Sequence, residues 1–385
     1  MKTNNPIWLM TSAYPGQTLE KVIERALDVN AQGLELCVFR QGDDTSRNDH
    51  VATHLDYNNF THEEAKRVID LFNKNGLRFS IAAYDNLIGG SVREANQNHI
   101  LKLIRIAALL GGDANDICVG TFVGYNHEYG ELDGGFEKNL EEYKKVFTPI
   151  IKYAEDLGVT VTYENCPMEG WRPATAPTTY NNLPGTLAAR KLMYELIPSR
   201  AHGETYDPSH DVWQNINPSD VLRNSDMSRI KRIHIKGTRM NYTTARIQWG
   251  ALYPQQTVNP KIAKAAGVCI PANEWDRHHY EATLPGFGGS DSIDWRDFIN
   301  TALELGFGSA PFVIENEAAL SKGTDNMGAI QQGFRATILN LSPLFWDIDS
   351  SDPEVGYKFD STRQKELKTP STKDIPVMTM DKLCK

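Results

Sequence analysis

The stretch that decides the fold is residues 153–168, YAEDLGVTVTYENCPM. A helical ending, YAEDLG, passes through a glycine into VTVTY, a short strand closed by Glu164. Glycine suits such a junction because the residue after a helix often takes a left-handed conformation that costs other residues energy. The same cycle recurs on both sides. Upstream, Leu19, Val22, Ile23, Ala26 and Leu27 fall at helical spacing, the helix is expected to end near Gly33, and LELCVF follows. Thr61 with Glu64 has the form of a capping box. Ala65, Val68, Ile69 and Phe72 then make one face, and Gly76 stops that helix before LRFSIAA. HILKLIRIAALLGG precedes ICVGTF, and far downstream ALELGFGSA precedes PFVIE.

The candidate strands are IWLMT, LELCVF, LRFSIAA, ICVGTF, VTVTY, HGETY, RIHIK and PFVIE, eight in all and mostly separated by helical segments. Alternating strands and helices imply a parallel sheet with right-handed crossovers. Eight units suit a closed (β/α)8 TIM barrel, an α/β fold, better than an open doubly wound sheet, and no GxGxxG follows the first strand. One barrel domain is therefore assigned to residues 1–346. Residues 239–290, between the seventh and eighth strands, are too many for a plain crossover and include WDRHHYEATLPGFGG. This long insertion is expected to form a lid over the top face. Residues 347–385 are polar and weakly periodic, and are read as an extended C-terminal tail that wraps the barrel or links subunits.

Of the 385 residues, 40% are apolar and 23% charged, which fits a globular chain with a sizeable core. A net charge of -9 argues against binding nucleic acid through many phosphate contacts. No run approaches the roughly 18 apolar residues of a membrane span, and MKTNNPIWLMTSAYPG makes a poor signal peptide. The five cysteines include no CxxC pair, which disfavours a disulfide framework or a thiolate zinc cluster. The expectation is a cytoplasmic protein with neither nucleic-acid nor membrane partners.

In such a barrel the reactive groups stand at the carboxyl ends of the strands. Those ends carry Glu164, Asp207, His234 and Glu315 on the fifth to eighth strands. Taken singly, a strand-end glutamate is usually solvated or ion-paired, and a histidine between isoleucines is usually a hydrogen-bonded core residue. Taken together, three carboxylates gathered at one point repel and cost desolvation energy unless a cation neutralises them. Oxygen ligands with one nitrogen suit a divalent ion, Mn²⁺ first, with Mg²⁺, Co²⁺ or Zn²⁺ admissible. Glu317, two residues beyond Glu315, is the one rival for its place.

At these residues the chain resembles the xylose-isomerase-like barrels known as sugar phosphate isomerases/epimerases. The resemblance rests on TYENCPM at 162–168, YDPSHDVWQ at 206–214, RIHIKGT at 232–238, LPGFGGSDSIDW at 284–295 and FVIENE at 312–317. It implies that Glu164, Asp207, His234 and Glu315 bind one divalent metal, and that Glu164 and Glu315 exchange the substrate proton, as in the ketose epimerase branch. It further implies that His210 contacts a substrate oxygen, that Lys236 follows the ligand histidine as in many members, and that Tyr84 lines the pocket. The bland alternatives are a capped loop, a surface ion pair and a packing aromatic. The epimerase pattern also has a second acid past the strand-five glutamate and an arginine past the strand-seven histidine. Here Glu169 and Arg239 each stand one place out of register. Trp171 and Arg172 add bulk at the same mouth, and the insertion brings Arg277, His278 and His279, so a larger or differently held substrate is expected.

The leading functional reading is a metal-dependent isomerase or epimerase moving a proton next to the carbonyl of a sugar or cyclitol. The runner-up is a lyase or dehydratase that makes the same proton abstraction and then expels a β-substituent from a keto-sugar, keto-glycoside or inosose. An abasic-site endonuclease, which would need more ligand histidines, and a non-catalytic sugar-binding barrel are remote. The partner is then a small carbohydrate, and a homo-oligomer is compatible with the sequence.

Overall fold

A computed structural model describes residues 3–42, 52–130, 134–168, 181–240, 247–248, 259–269, 280–286, 291–317, 326–351 and 356–385. The expected barrel is present. Strands β1 (Ile7–Met10), β2 (Gly33–Cys37), β3 (Arg78–Ala82), β4 (Val119–Thr121), β5 (Val161–Glu164), β6 (His202–Tyr206) and β7 (Ile230–Ile235) run in ring order. After two hairpin strands, β8 (Gly237–Met240) and β9 (Tyr280–Thr283), the eighth barrel strand β10 (Phe312–Ile314) closes the ring between β7 and β1. All eight barrel pairings are parallel.

Helices cover the outside for the reasons their sequences give. Helix α1 (Leu19–Asp28) buries Leu19, Val22, Ile23 and Ala26, and Thr18 caps it by accepting from the Lys21 amide. In α2 (His62–Lys74) the Thr61 hydroxyl accepts from the Glu64 amide at 3.2 Å, which satisfies one of the unpaired donors of the first turn. Gly76, after this helix, sits at φ +63, where a side chain would be strained. Gly33 acts differently from the expectation that it ends α1. It opens β2, and a Cβ there would lie 2.5 Å from the Trp8 indole nitrogen and 2.6 Å from the Arg78 carbonyl. Its constraint is close approach, not handedness.

Helix α3 (Arg93–Leu109) is buried on most of its surface, because the C-terminal segment lies along it. Leu367 and Ile375 are 4% and 5% exposed. Asn73 clamps the Leu367 backbone through both its amide groups, at 2.8 and 2.9 Å, and Asn115 does the same to Lys368 at 2.7 and 3.2 Å. Met380–Leu383 forms a short helix against α3 and α4 (Gly135–Leu157). The described tail is therefore a strap held by side chains that finish the backbone hydrogen bonds of an irregular segment. Of the insertion, the described residues give an antiparallel hairpin, Gly237–Met240 against Tyr280–Thr283, and a helix Pro260–Ala265. The hairpin starts one residue after Lys236. A Cβ on Gly237 would lie 2.6 Å from the Thr283 carbonyl, so only glycine lets the two legs close here.

Candidate metal centre at the carboxyl end

Glu164, Asp207, His234 and Glu315 each offer a ligand atom, and these atoms all lie within 4.8 Å of one another. Glu164 is the last residue of β5, while Asp207 and Glu315 directly follow β6 and β10. Asp207 also caps α5 (Pro208–Trp213): one carboxylate oxygen accepts from the Ser209 amide at 2.8 Å, which leaves Oδ2 facing the cluster. Asn165, next to Glu164, fixes the Asp207 backbone, donating to its carbonyl at 3.0 Å and accepting from its amide at 2.8 Å.

The imidazole of His234 is oriented from below. Its Nε2 lies 2.8 Å from the Glu35 carboxylate, and Nδ1 is turned to Glu164 and Glu315 at 3.4 and 3.7 Å. Glu35 is fully buried in β2; Tyr84 donates a hydrogen bond to it and Arg232 stands 3.6 Å away. Burial alone would raise the Glu35 carboxyl, but Arg232 and His234 outweigh it and hold Glu35 ionised. Burial pushes the His234 ring the other way, and the Glu35 carboxylate reverses that and raises its affinity for a proton. Tyr84, expected to line the pocket, instead packs beneath it, its ring 6.1 Å from that of His234.

Two nitrogen-bearing side chains fill the gaps between carboxylates. Lys236 Nζ lies 2.8 Å from Glu315, 3.0 Å from Asp207 and 3.5 Å from Glu317. His210 Nε2 lies 3.2 Å from both Glu164 and Asp207. Burial disfavours the Lys236 ammonium, yet the surrounding carboxylates, Asp207 foremost, raise it well above the usual lysine range. Trp213 backs both groups: its ring meets His210 edge-on at 4.4 Å, carries Lys236 over one face at 5.2 Å, and stacks on Tyr280 of the hairpin at 3.7 Å. Glu317 is half exposed, its carboxylate stands 3.5 Å from Lys236, and its amide donates to the Glu315 carbonyl at 3.2 Å. Arg239 points along the hairpin to Glu281, away from the place its sequence position suggests. Trp171, Arg172, Glu169, Arg277, His278 and His279 lie outside the described residues.

The residues fit a divalent cation on two counts. Asp207 Oδ2 and His234 Nδ1 are buried and lack a well-aligned hydrogen bond, although Lys236 stands 3.0 Å from the first and Glu164 3.4 Å from the second; buried polar atoms are normally satisfied. Moreover, counting the carboxylates and the permanently charged cations alone, the buried Glu35, Glu164 and Asp207 and the 11% exposed Glu315 stand against two cationic neighbours, Arg232 and Lys236. The excess of two negative charges is what a dication would neutralise.

The sequence profile of the xylose isomerase-like TIM barrel family matches residues 23–337, and the chain belongs to that family. Among solved structures, the chain is similar to the probable 3-DHS dehydratase AsbF of Bacillus anthracis, at 14% identity and TM-score 0.53, covering 88% of this chain and 97% of that one. It is similar also to the D-psicose 3-epimerase of Clostridium cellulolyticum H10 with D-tagatose, at 12% identity and TM-score 0.53, covering 88% and 99%. A third is the IolI protein with a bound zinc atom, at 15% identity and TM-score 0.54, covering 88% and 99%. At these identities the likeness is one of fold. No curated protein sequence matches the chain. No helix among the described residues is long and apolar enough to cross a membrane.

Proposed function

We propose that this chain is a divalent-metal-dependent isomerase or epimerase of a small sugar or cyclitol. The observation that carries the reading is the placement of Glu164 and Glu315. They rise from β5 and β10, with β6 and β7 between them in the ring, and both turn toward His234 Nδ1. Two bases approaching one point from different sides can remove a carbon-bound proton and return one to the other face of a planar intermediate. Glu164, Asp207, His234 and Glu315 would hold the metal, Mn²⁺ by preference for this oxygen-rich set. When bound, it would polarise the substrate carbonyl and stabilise the negative charge that develops on its oxygen.

The protein groups divide the remaining work. Burial favours a protonated Glu164, but the adjacent His210 and His234 imidazoles outweigh it and keep the carboxylate available as a base. Lys236 holds Glu315 ionised in the same way, at about 2 against the burial that opposes it. His210 and Lys236 would bind substrate oxygens as they exchange their carboxylate contacts for substrate. One observation favours the runner-up, β-elimination: the Lys236 ammonium is a proton donor inside the acid cluster, placed to protonate a leaving group. The coverage of known lyases and epimerases by the same fold is consistent with either outcome.

Incubation of the metal-loaded protein with ketoses, inososes and keto-glycosides in D₂O tests the proposal. Deuterium beside the carbonyl of an isomerised product supports it, and an eliminated fragment assigns the chain to the runner-up. Turnover of a substrate without solvent exchange would overturn both.

A further inference from the structure

At the opposite end of the barrel lies a cavity of ≈ 690 Å³, within the size range of small-molecule pockets. Its lining comes from the amino ends of the strands: Trp8 in β1, Arg78 at the start of β3, Lys231 in β7, and residues just before β4, β5 and β10. The strap closes one side with Phe359, Arg363 and Lys365.

Six basic residues line this cavity, against two acids, in a chain of net charge -9. Three of the six are already matched by carboxylates outside the lining. Arg200 pairs with Asp226 at 2.7 Å, Arg363 with Asp360 at 3.1 Å, and Arg232 faces Glu35. The other three differ. No carboxylate lies within ion-pair distance of Lys231 or Lys365 among the described residues, and Lys231 donates to the Ser228 carbonyl at 3.0 Å. The buried Arg78 donates to the Lys365 and Asn115 carbonyls, and the carboxylate beside it, Asp116 at 3.4 Å, has a side chain that is 87% exposed. Asp113, the remaining acid, is occupied by the Thr160 amide at 2.9 Å.

We propose that this cavity is a binding site for a small organic anion, with Arg78, Lys231 and Lys365 receiving its phosphate or carboxylate group. The volume exceeds what a bare inorganic ion needs, and Trp8, Pro6, Pro311 and Phe359 supply apolar walls for the rest of the molecule. Cations whose counter-charges are absent or solvent-exposed, gathered around a concave, partly apolar space, repel one another until an anion enters. The site is physically separate from the acid cluster. Arg232 lies between them, bonded upward toward Glu35 and sideways to Thr205 at 2.9 Å and Thr162 at 3.1 Å. The strap is part of the wall, so the full chain is required.

Calorimetric titration of the full-length, metal-loaded protein with phenyl phosphate and with benzoate tests the site and separates the two anion chemistries. Binding of at least one is expected, with phenol, the neutral analogue, showing none. Replacing Lys231 and Lys365 together by Gln should weaken binding about tenfold or more, and replacing both by Arg should restore it. Neither residue touches the acid cluster, so the metal affinity of the Gln variant should match the parent. Three results would overturn the proposal: no heat from either anion, equal binding by the double Gln variant, or phenol binding as tightly as phenyl phosphate.

Discussion

The two ends of one barrel carry opposite charge, and β7 shows how. Arg232 and His234 are two residues apart, so both point into the barrel interior, yet Arg232 lines the basic cavity below and His234 joins the acid cluster above. Glu35 lies between them, 3.6 Å from one and 2.8 Å from the other. The upper end is a closely packed acid constellation whose imbalance calls for a cation. The lower end is an open space whose imbalance calls for an anion. A parallel barrel gives each end its own chemistry because every strand presents a different residue at each level.

The comparison breaks most visibly at the upper end. Replacing Glu164 or Glu315 by Gln should lower turnover of an identified substrate roughly 10²–10⁴-fold, the usual worth of a positioned proton-transfer group. Metal content of each variant must be measured alongside. Full activity in a metal-loaded variant would remove that glutamate from the proton-transfer step.

Acid should act on both ends through two neutral histidines. His202 opens β6 at the lower end and bonds the Ile197 carbonyl at 2.6 Å; His99 bonds the Val38 carbonyl, just past the upper end of β2, at 2.7 Å. Burial pulls each down to about 4. The folded state therefore binds the proton less readily than the unfolded chain. Their stabilisation is complete above the ordinary histidine value and is lost as pH falls from about 6.5 to about 4, by on the order of 3 kcal/mol per residue. Urea titrations across that window should show a shallower pH slope in His202→Asn and in His99→Asn than in the parent. An unchanged slope in both would refute buried neutral imidazoles.

Metal removal should destabilise the fold through the upper end. A ligand that binds only the folded state contributes about 2.7 kcal/mol at a hundredfold excess over its dissociation constant. EDTA should accordingly lower the melting midpoint, and Mn²⁺ should restore it. Identical melts of loaded and verified metal-free protein would count against the acid cluster as a cation site.

The smallest expected effect tests the link between the ends. Glu35→Gln keeps the shape but weakens the hold on His234. Metal affinity measured by titration should fall about 10–100-fold, as it does when groups behind metal ligands are changed. A variant with unaltered affinity would make Glu35 a partner of Arg232 only.

Much of the upper end was legible because strand ends are readable. Glu164, Asp207, His234 and Glu315 each close or follow an apolar or β-branched run, and a parallel barrel must bring such ends to one face. Glu35 was hidden inside LELCVF, where it passes for part of an ordinary core strand. The available signal was a carboxylate flanked by Leu34 and Leu36 in a strand that a barrel buries on both sides, since a buried charge needs a partner. Arg232 in RIHIK carried the same signal. The sequence puts Tyr84 at the end of the third strand, but only packing shows that its hydroxyl turns down to Glu35 rather than up to the mouth.

By itself the sequence determined the eightfold alternation, the barrel, and the level at which three carboxylates and an imidazole stand, because helix and strand periods and strand ends are local properties. Tertiary structure decided the rest: that Glu35 and Arg232 pair across the barrel, that Trp213 ties His210 and Lys236 to the hairpin, and that the tail folds back over α3 and walls a basic cavity. Those contacts join residues far apart in the chain, and no local period encodes which distant side chain will satisfy a buried charge.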